Sequence, residues 1–111
     1  MGRIDTTAFL SQLRSAWSRA TSSKWTPSNP ACGQCSVTAL VVQERFGGEI
    51  LKTYVDGAAH FYNRVDGQRI DLTASQFAAP PLYMDLPSSR EEALADTTPE
   101  QYARLAAAIS K

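Results

Sequence analysis

Hydrophobic and polar residues follow a helical period in the first half of the chain. Apolar side chains recur at helical spacing over residues 5–20, which predicts an amphipathic helix with Asp5 or Thr6 as its N-cap. A second apolar run predicts a buried helix over residues 35–46. Residues 21–31 between them contain two prolines and several hydroxyl side chains, and this composition predicts a loop.

Strand patterns occupy the middle of the chain. Residues 49–55, 58–64 and 68–73 are rich in residues that favour strands. The dipeptides Asp56-Gly57 and Asp66-Gly67 separate them, and Asp-Gly favours the two-residue turn of a β-hairpin. The pattern therefore predicts a three-stranded antiparallel meander.

The C-terminal third returns to helical spacing after an extended excursion over residues 74–87, which contains three prolines. Ser88 and Glu91 predict the capping box of a short helix, and Thr98 predicts the N-cap of a final helix. The apolar stripe of that final helix consists of Tyr102, Leu105, Ala106 and Ile109. The fold class predicted is α+β, with N-terminal helices packed on an antiparallel sheet of three or more strands and a C-terminal helix.

Composition narrows the possible partners. The 111 residues are expected to form a single domain over 1–111. Eleven basic residues balance eleven acidic ones, so neither nucleic acid nor a membrane surface is expected as a partner. Without a signal-peptide core or an apolar run near the ~20 residues of a membrane span, the chain is expected to be cytoplasmic. In that compartment both cysteines are expected to be thiols.

Three residues in a fixed order are candidates for covalent chemistry. Cys35 is predicted to begin a helix, where unpaired N–H groups and the helix dipole favour a thiolate over a thiol. His60 is the only histidine of the chain, and Asp71 follows it across the second predicted hairpin turn. A thiol, an imidazole and a carboxylate together are typical of acyl transfer through a covalent intermediate.

The hairpin allows a geometric test of this triad. If Asp66-Gly67 forms a two-residue loop, Tyr62 lies opposite Asp71, and His60 becomes a diagonal neighbour of Asp71 on the same face. The two backbones are then within roughly 7–8 Å, which suits a carboxylate–imidazole hydrogen bond. A three-residue loop would shift the register by one residue and move Asp71 to the opposite face.

The predicted chemistry is thiol-dependent acyl transfer or amide hydrolysis without a cofactor. Cys35 would attack a carbonyl group of a peptide, an amide or a small acyl substrate. His60 would accept the thiol proton and later protonate the leaving group, while Asp71 would orient the imidazole. The backbone N–H of Cys35 would bind the oxyanion, with the Gln34 side chain or the Trp25 indole N–H as the second donor.

Three other functions remain open on the sequence. Cys32 and Cys35 form a Cys-x-x-Cys pair, which is typical of thiol–disulfide exchange, although residues 21–31 cannot supply the buried strand that precedes this motif in thioredoxins. Cys32 could also silence Cys35 through a reversible disulfide. The same two thiols with His60 and Asp71 could bind zinc. Finally, the fold could be a binding module with a vestigial triad.

Three short motifs resemble transglutaminases. The segments concerned are Gly33-Gln34-Cys35-Ser36-Val37, His60-Phe61-Tyr62-Asn63 and Asp71-Leu72-Thr73-Ala74-Ser75-Gln76. This resemblance implies a transglutaminase/papain-like core, in which a cysteine on a central helix packs on a sheet that carries histidine and aspartate. The region from Trp25 to Phe77 more closely resembles small bacterial proteins of the YunG type, through its Trp-Thr-Pro, Asn-Pro-Ala and Gly-Gln-Cys-x-Val-Thr-Ala-Leu segments.

Overall fold

The computed structural model describes residues 5–109, which form a small α+β fold with a four-stranded antiparallel sheet. The helices are α1 (Thr7–Ala16), α2 (Cys35–Phe46), α3 (Arg90–Ala95) and α4 (Pro99–Ile109). The strands are β1 (Glu49–Val55), β2 (Ala58–Val65), β3 (Gln68–Ile70) and β4 (Leu86–Pro87), and Ala74–Gln76 forms a 3₁₀ turn. The order of strands across the sheet is β3-β2-β1-β4. No helix within residues 5–109 is long and apolar enough to cross a membrane.

Helix α2 has the predicted bounds, whereas α1 ends four residues earlier than predicted. The chain leaves the helical conformation at Trp17, whose indole is buried and donates from Nε1 to Thr38 Oγ1 at 3.1 Å. Packing of this large side chain against α2 therefore decides where α1 ends. At its start, Thr6 occupies the N-cap position without a side-chain bond, while Asp5 Oδ1 accepts from the Thr7 N–H at 3.0 Å.

The predicted meander is confirmed, including its register. All four residues of Asp56-Gly57 and Asp66-Gly67 have positive φ, between 51° and 80°, as a type I′ turn requires. In the second hairpin Val65 pairs with Gln68. β3 ends at Ile70, three residues earlier than predicted. The chain turns after it, because the Asp71 side chain accepts a hydrogen bond from the backbone N–H of Thr73, two residues further on.

Strand β4 was not predicted. It pairs with β1 and extends the sheet at the edge opposite β3. The extended segment before it also lies against β1, because Thr53 Oγ1 donates to the carbonyl of Leu82 at 2.6 Å and accepts from the N–H of Met84 at 3.2 Å. Residues 77–85 of the predicted excursion are therefore held against the sheet, and we call this segment the strap.

Helix α2 is central because it packs in two directions. Every residue of its first two turns is buried, from Cys35 to Val42. One apolar cluster joins α1, α2 and α4 through Phe9, Leu13, Trp17, Val37, Val41, Val42, Leu105 and Ile109. A second cluster joins α2 to the sheet and α3 through Cys35, Ala39, Leu40, Ile50, Phe61 and Ala93. This burial holds the N-terminus of α2 firmly in place.

The C-terminal helices begin close to the predicted caps. The N-cap of α3 is Ser89 rather than Ser88: Ser89 Oγ accepts from the Glu92 N–H at 3.1 Å, and Ser88 instead donates to the Glu92 carboxylate. The N-cap of α4 is confirmed, since Thr98 Oγ1 accepts from the Gln101 N–H at 3.1 Å.

Candidate functional site

Cys35 and His60 line one cavity of about 330 Å³. Cys35 is the first residue of α2, and its side chain is almost completely buried, with 8% of the residue exposed. The first N–H groups of a helix have no intrahelical acceptor, so this position offers backbone donors next to the sulfur atom. The wall of the cavity also includes Ser22, Lys24, Cys32, Gln76, Phe77 and Asp96.

The predicted contact between His60 and Asp71 is present. His60 Nε2 lies 2.8 Å from Asp71 Oδ2, and the two side chains are only 3% and 6% exposed. The two-residue turn at Asp66-Gly67 produces this contact, because it makes Asp71 a diagonal neighbour of His60.

His60 favours its protonated form. Burial lowers its pKa, but the hydrogen bond to Asp71 and the interaction with Cys35 raise it, so that the pKa rises from 6.5 to about 9. The imidazole therefore carries a positive charge at neutral pH, beside the side chains of Asp71 and Cys35.

The two ring nitrogens of His60 differ in their partners. Nε2 is bonded to Asp71, while the buried Nδ1 has no hydrogen-bond partner among residues 5–109. Cys35 is nevertheless close enough to raise the pKa of His60. In free enzymes, catalytic hydrogen bonds are often long or poorly aligned and tighten only when substrate binds.

Asp71 is held by groups that the motifs did not predict. Thr73 donates to Asp71 Oδ1 from its backbone N–H and from its hydroxyl group, each at 3.3 Å. The hydroxyl of Tyr83 donates to Oδ2 at 2.8 Å, and the Arg69 guanidinium lies 4.6 Å from the centre of the Tyr83 ring. Burial and the bond to Asp71 raise the pKa of Tyr83. Spacing along the sequence could not indicate Tyr83, because this residue lies in the strap, which has no regular secondary structure.

Aromatic rings fix the plane of the imidazole. Phe77 meets the His60 ring edge-on with centroids 4.9 Å apart, and Tyr62 stacks on it at 6.0 Å. These contacts and the bond to Asp71 leave the ring little freedom to rotate away from the cavity.

The structure does not support the predicted side-chain donors for an oxyanion. Gln34 is completely buried, and its Nε2 donates to the carbonyl of Ser18 at 3.5 Å instead of lining the cavity. Trp25 packs against the cluster between α1, α2 and α4, and it does not line the cavity either. Both side chains are instead packed inward, Gln34 completely buried and Trp25 against the apolar cluster.

Cys32 lies at the cavity as a free, partly exposed thiol. The segment before it contains turns and one isolated bridge between Thr26 and Asn29, with no strand of the sheet leading into Cys32. This arrangement disfavours the thioredoxin alternative, which requires such a strand. Within residues 5–109, no group of three or more cysteine, histidine or acidic side chains is arranged to bind a metal ion.

Comparison with known proteins identifies the family. The model of the family described as "YunG protein" matches residues 5–111. The chain belongs to the YunG family. A relative in Bacillus subtilis strain 168, described as "Uncharacterized protein YunG", is 56% identical over 99 residues, which cover 89% of this chain and 86% of the relative. No solved structure shows a significant match to the chain. The assignment to the family therefore rests on sequence similarity, and the candidate site rests on the geometry described above.

Proposed function

We propose that this YunG-family protein is a thiol-dependent acyl transferase or amide hydrolase with a transglutaminase/papain-like core. The observation that carries the proposal is the shared imidazole: His60 is bonded to Asp71 at 2.8 Å and interacts with Cys35 across one cavity. A base that is oriented by a third group and lies beside a nucleophile is the arrangement that covalent catalysis needs.

The first step forms a thioester. Cys35 has already passed its thiol proton to His60 Nδ1; its thiolate attacks the carbonyl carbon of an amide, and the electron pair of the C=O bond moves to oxygen. When the tetrahedral intermediate collapses, the C–N bond breaks and His60 Nδ1 gives its proton to the departing amine. Asp71 keeps Nε2 protonated and stabilises the imidazolium throughout this step.

The second step releases the acyl group. His60, now neutral, takes a proton from water or from an incoming amine at Nδ1, and the new nucleophile attacks the thioester. Its collapse breaks the C–S bond and regenerates Cys35 and the protonated His60. Water gives hydrolysis and an amine gives acyl transfer, so one site serves both reactions.

The cavity favours a small polar acyl group. Its volume of about 330 Å³ is near the lower end for small-molecule sites. Its lining includes a basic side chain, Lys24, and an acidic one, Asp96. A glutamine-like side chain or a small amide fits this size and polarity.

A thioester trap tests the proposal without a known substrate. The protein is mixed with p-nitrophenyl acetate, and tandem mass spectrometry locates the acetyl group. We expect acetylation at Cys35, little at Cys32, and none at position 35 in Cys35→Ser. Acetylation at Cys32 alone, or an unmodified Cys35 in the folded protein, would contradict the proposal and favour a binding module with a vestigial triad.

A further inference from the structure

Gln76 has an unusual hydrogen-bonding position beside the proposed nucleophile. It ends the 3₁₀ turn Ala74–Gln76 and lines the same cavity as Cys35 and His60. Its Nε2 atom is buried and has no hydrogen-bond partner among residues 5–109. An unpaired buried amide donor is destabilising, so its presence calls for an explanation.

The orientation of the Gln76 carboxamide follows from its neighbour. Gln76 Oε1 accepts a hydrogen bond from the backbone N–H of Gly33 at 3.3 Å. Because an N–H group needs an acceptor, the atom that faces Gly33 must be the oxygen, and the amide nitrogen must occupy the other position. The unpaired group is therefore a donor.

Gln76 is also tied to the loop that carries the nucleophile. Asn29 Nδ2 donates to the backbone carbonyl of Gln76 at 3.1 Å, and Gly33 lies two residues before Cys35. These two bonds join segments that are more than 40 residues apart in the sequence. They hold the carboxamide at a defined place relative to the N-terminus of α2.

We propose that Gln76 Nε2 and the backbone N–H of Cys35 together bind the carbonyl oxygen of the substrate and the oxyanion formed from it. This inference rests on the proposed function, and it assigns to Gln76 the donor role that the sequence suggested for Gln34 or Trp25. Nε2 is shielded from solvent in the free protein, so a substrate carbonyl must displace the atoms that cover it. The negative oxygen then satisfies the donor.

Two reactions of the same thiol separate this role from a structural one. Acetylation by p-nitrophenyl acetate passes through a tetrahedral oxyanion, whereas alkylation by iodoacetamide displaces iodide without one. In Gln76→Met, which keeps the length of the side chain and removes its N–H groups, we expect acetylation of Cys35 to slow at least about tenfold. Alkylation of Cys35 should change by less than about threefold. Gln76→Ala should show the same separation, and circular dichroism confirms that each variant is folded.

Gln12→Met is the matched control, because Gln12 is an exposed residue of α1 that does not line this cavity. An equal loss of acetylation in this variant would overturn the specific assignment to Gln76. The assignment is also overturned if Gln76→Met acetylates at the wild-type rate, or if acetylation and alkylation fall together. If Cys35 of the wild type is alkylated but never acetylated, the proposed function itself fails.

Discussion

The hydroxyl group of Tyr83 donates to Asp71 Oδ2 at 2.8 Å, and His60 Nε2 lies 2.8 Å from that same oxygen. One carboxylate oxygen thus joins the strap between β3 and β4 to the imidazole on β2. The strap is in turn tied to β1 through Thr53. Asp71 therefore couples the fold of the strap to the orientation of His60.

Tyr83→Phe tests this coupling, because it removes only the hydroxyl group. We expect the free energy of unfolding in urea to fall by about 1.5–3 kcal/mol, the range for a hydrogen bond to a charged group. Acetylation of Cys35 should also slow, since Asp71 loses one of the groups that position it. The control is Tyr54→Phe, which alters a half-exposed tyrosine on β1 and should change the unfolding free energy by less than about 0.5 kcal/mol. Equal effects of the two substitutions would contradict the coupling.

The pKa of His60 can be measured directly, because the chain has one histidine and gives one set of imidazole signals. An NMR titration should give a pKa of about 9. In Asp71→Asn the pKa should fall by at least about one unit, since burial then opposes protonation with less compensation. Asp66→Asn removes a carboxylate from the same hairpin, keeps a residue that suits the turn, and should leave the pKa nearly unchanged. A wild-type pKa near 6.5 would show that the bond to Asp71 is weak.

Protein stability should depend on pH through the same residue. The folded-state pKa of His60 is raised to about 9 from an unfolded value near 6.5, so its stabilising contribution is complete below about pH 6.5. Between these values the unfolded chain releases the proton first, and the free energy of unfolding should decrease as pH rises, by at most about 3 kcal/mol. His60→Gln should remove this slope. A slope of the same size in the variant would assign it to other groups.

The second hairpin and the contact between His60 and Asp71 could be predicted from the sequence, because both depend on local rules. Asp66-Gly67 favours one turn type, that turn sets one register, and the register decides that His60 and Asp71 share a face. Helix α2 could also be predicted from the sequence, because its apolar run is continuous and is followed by Gly47, which takes the positive φ that ends the helix.

The partners of the triad depend on long-range packing, so they could not be predicted. Tyr83 reaches Asp71 only because the strap lies against β1, and no periodicity in a proline-containing segment indicates that. The sequence suggests Gln34 as a donor, but tertiary packing buries it, and its Nε2 donates to the carbonyl of Ser18. Gln76 is brought to the site from 43 residues beyond Gly33.

The alkylation rate of Cys35 as a function of pH is the most direct test of the central claim that His60 activates this thiol. Iodoacetamide is used from pH 5 to 9, and mass spectrometry separates Cys35 from Cys32. We predict that Cys35 of the wild type still reacts at pH 6 and that His60→Gln slows this reaction at least about tenfold, because the imidazolium stabilises the thiolate. Rates at pH 6 that do not differ between the wild type and His60→Gln would contradict the account.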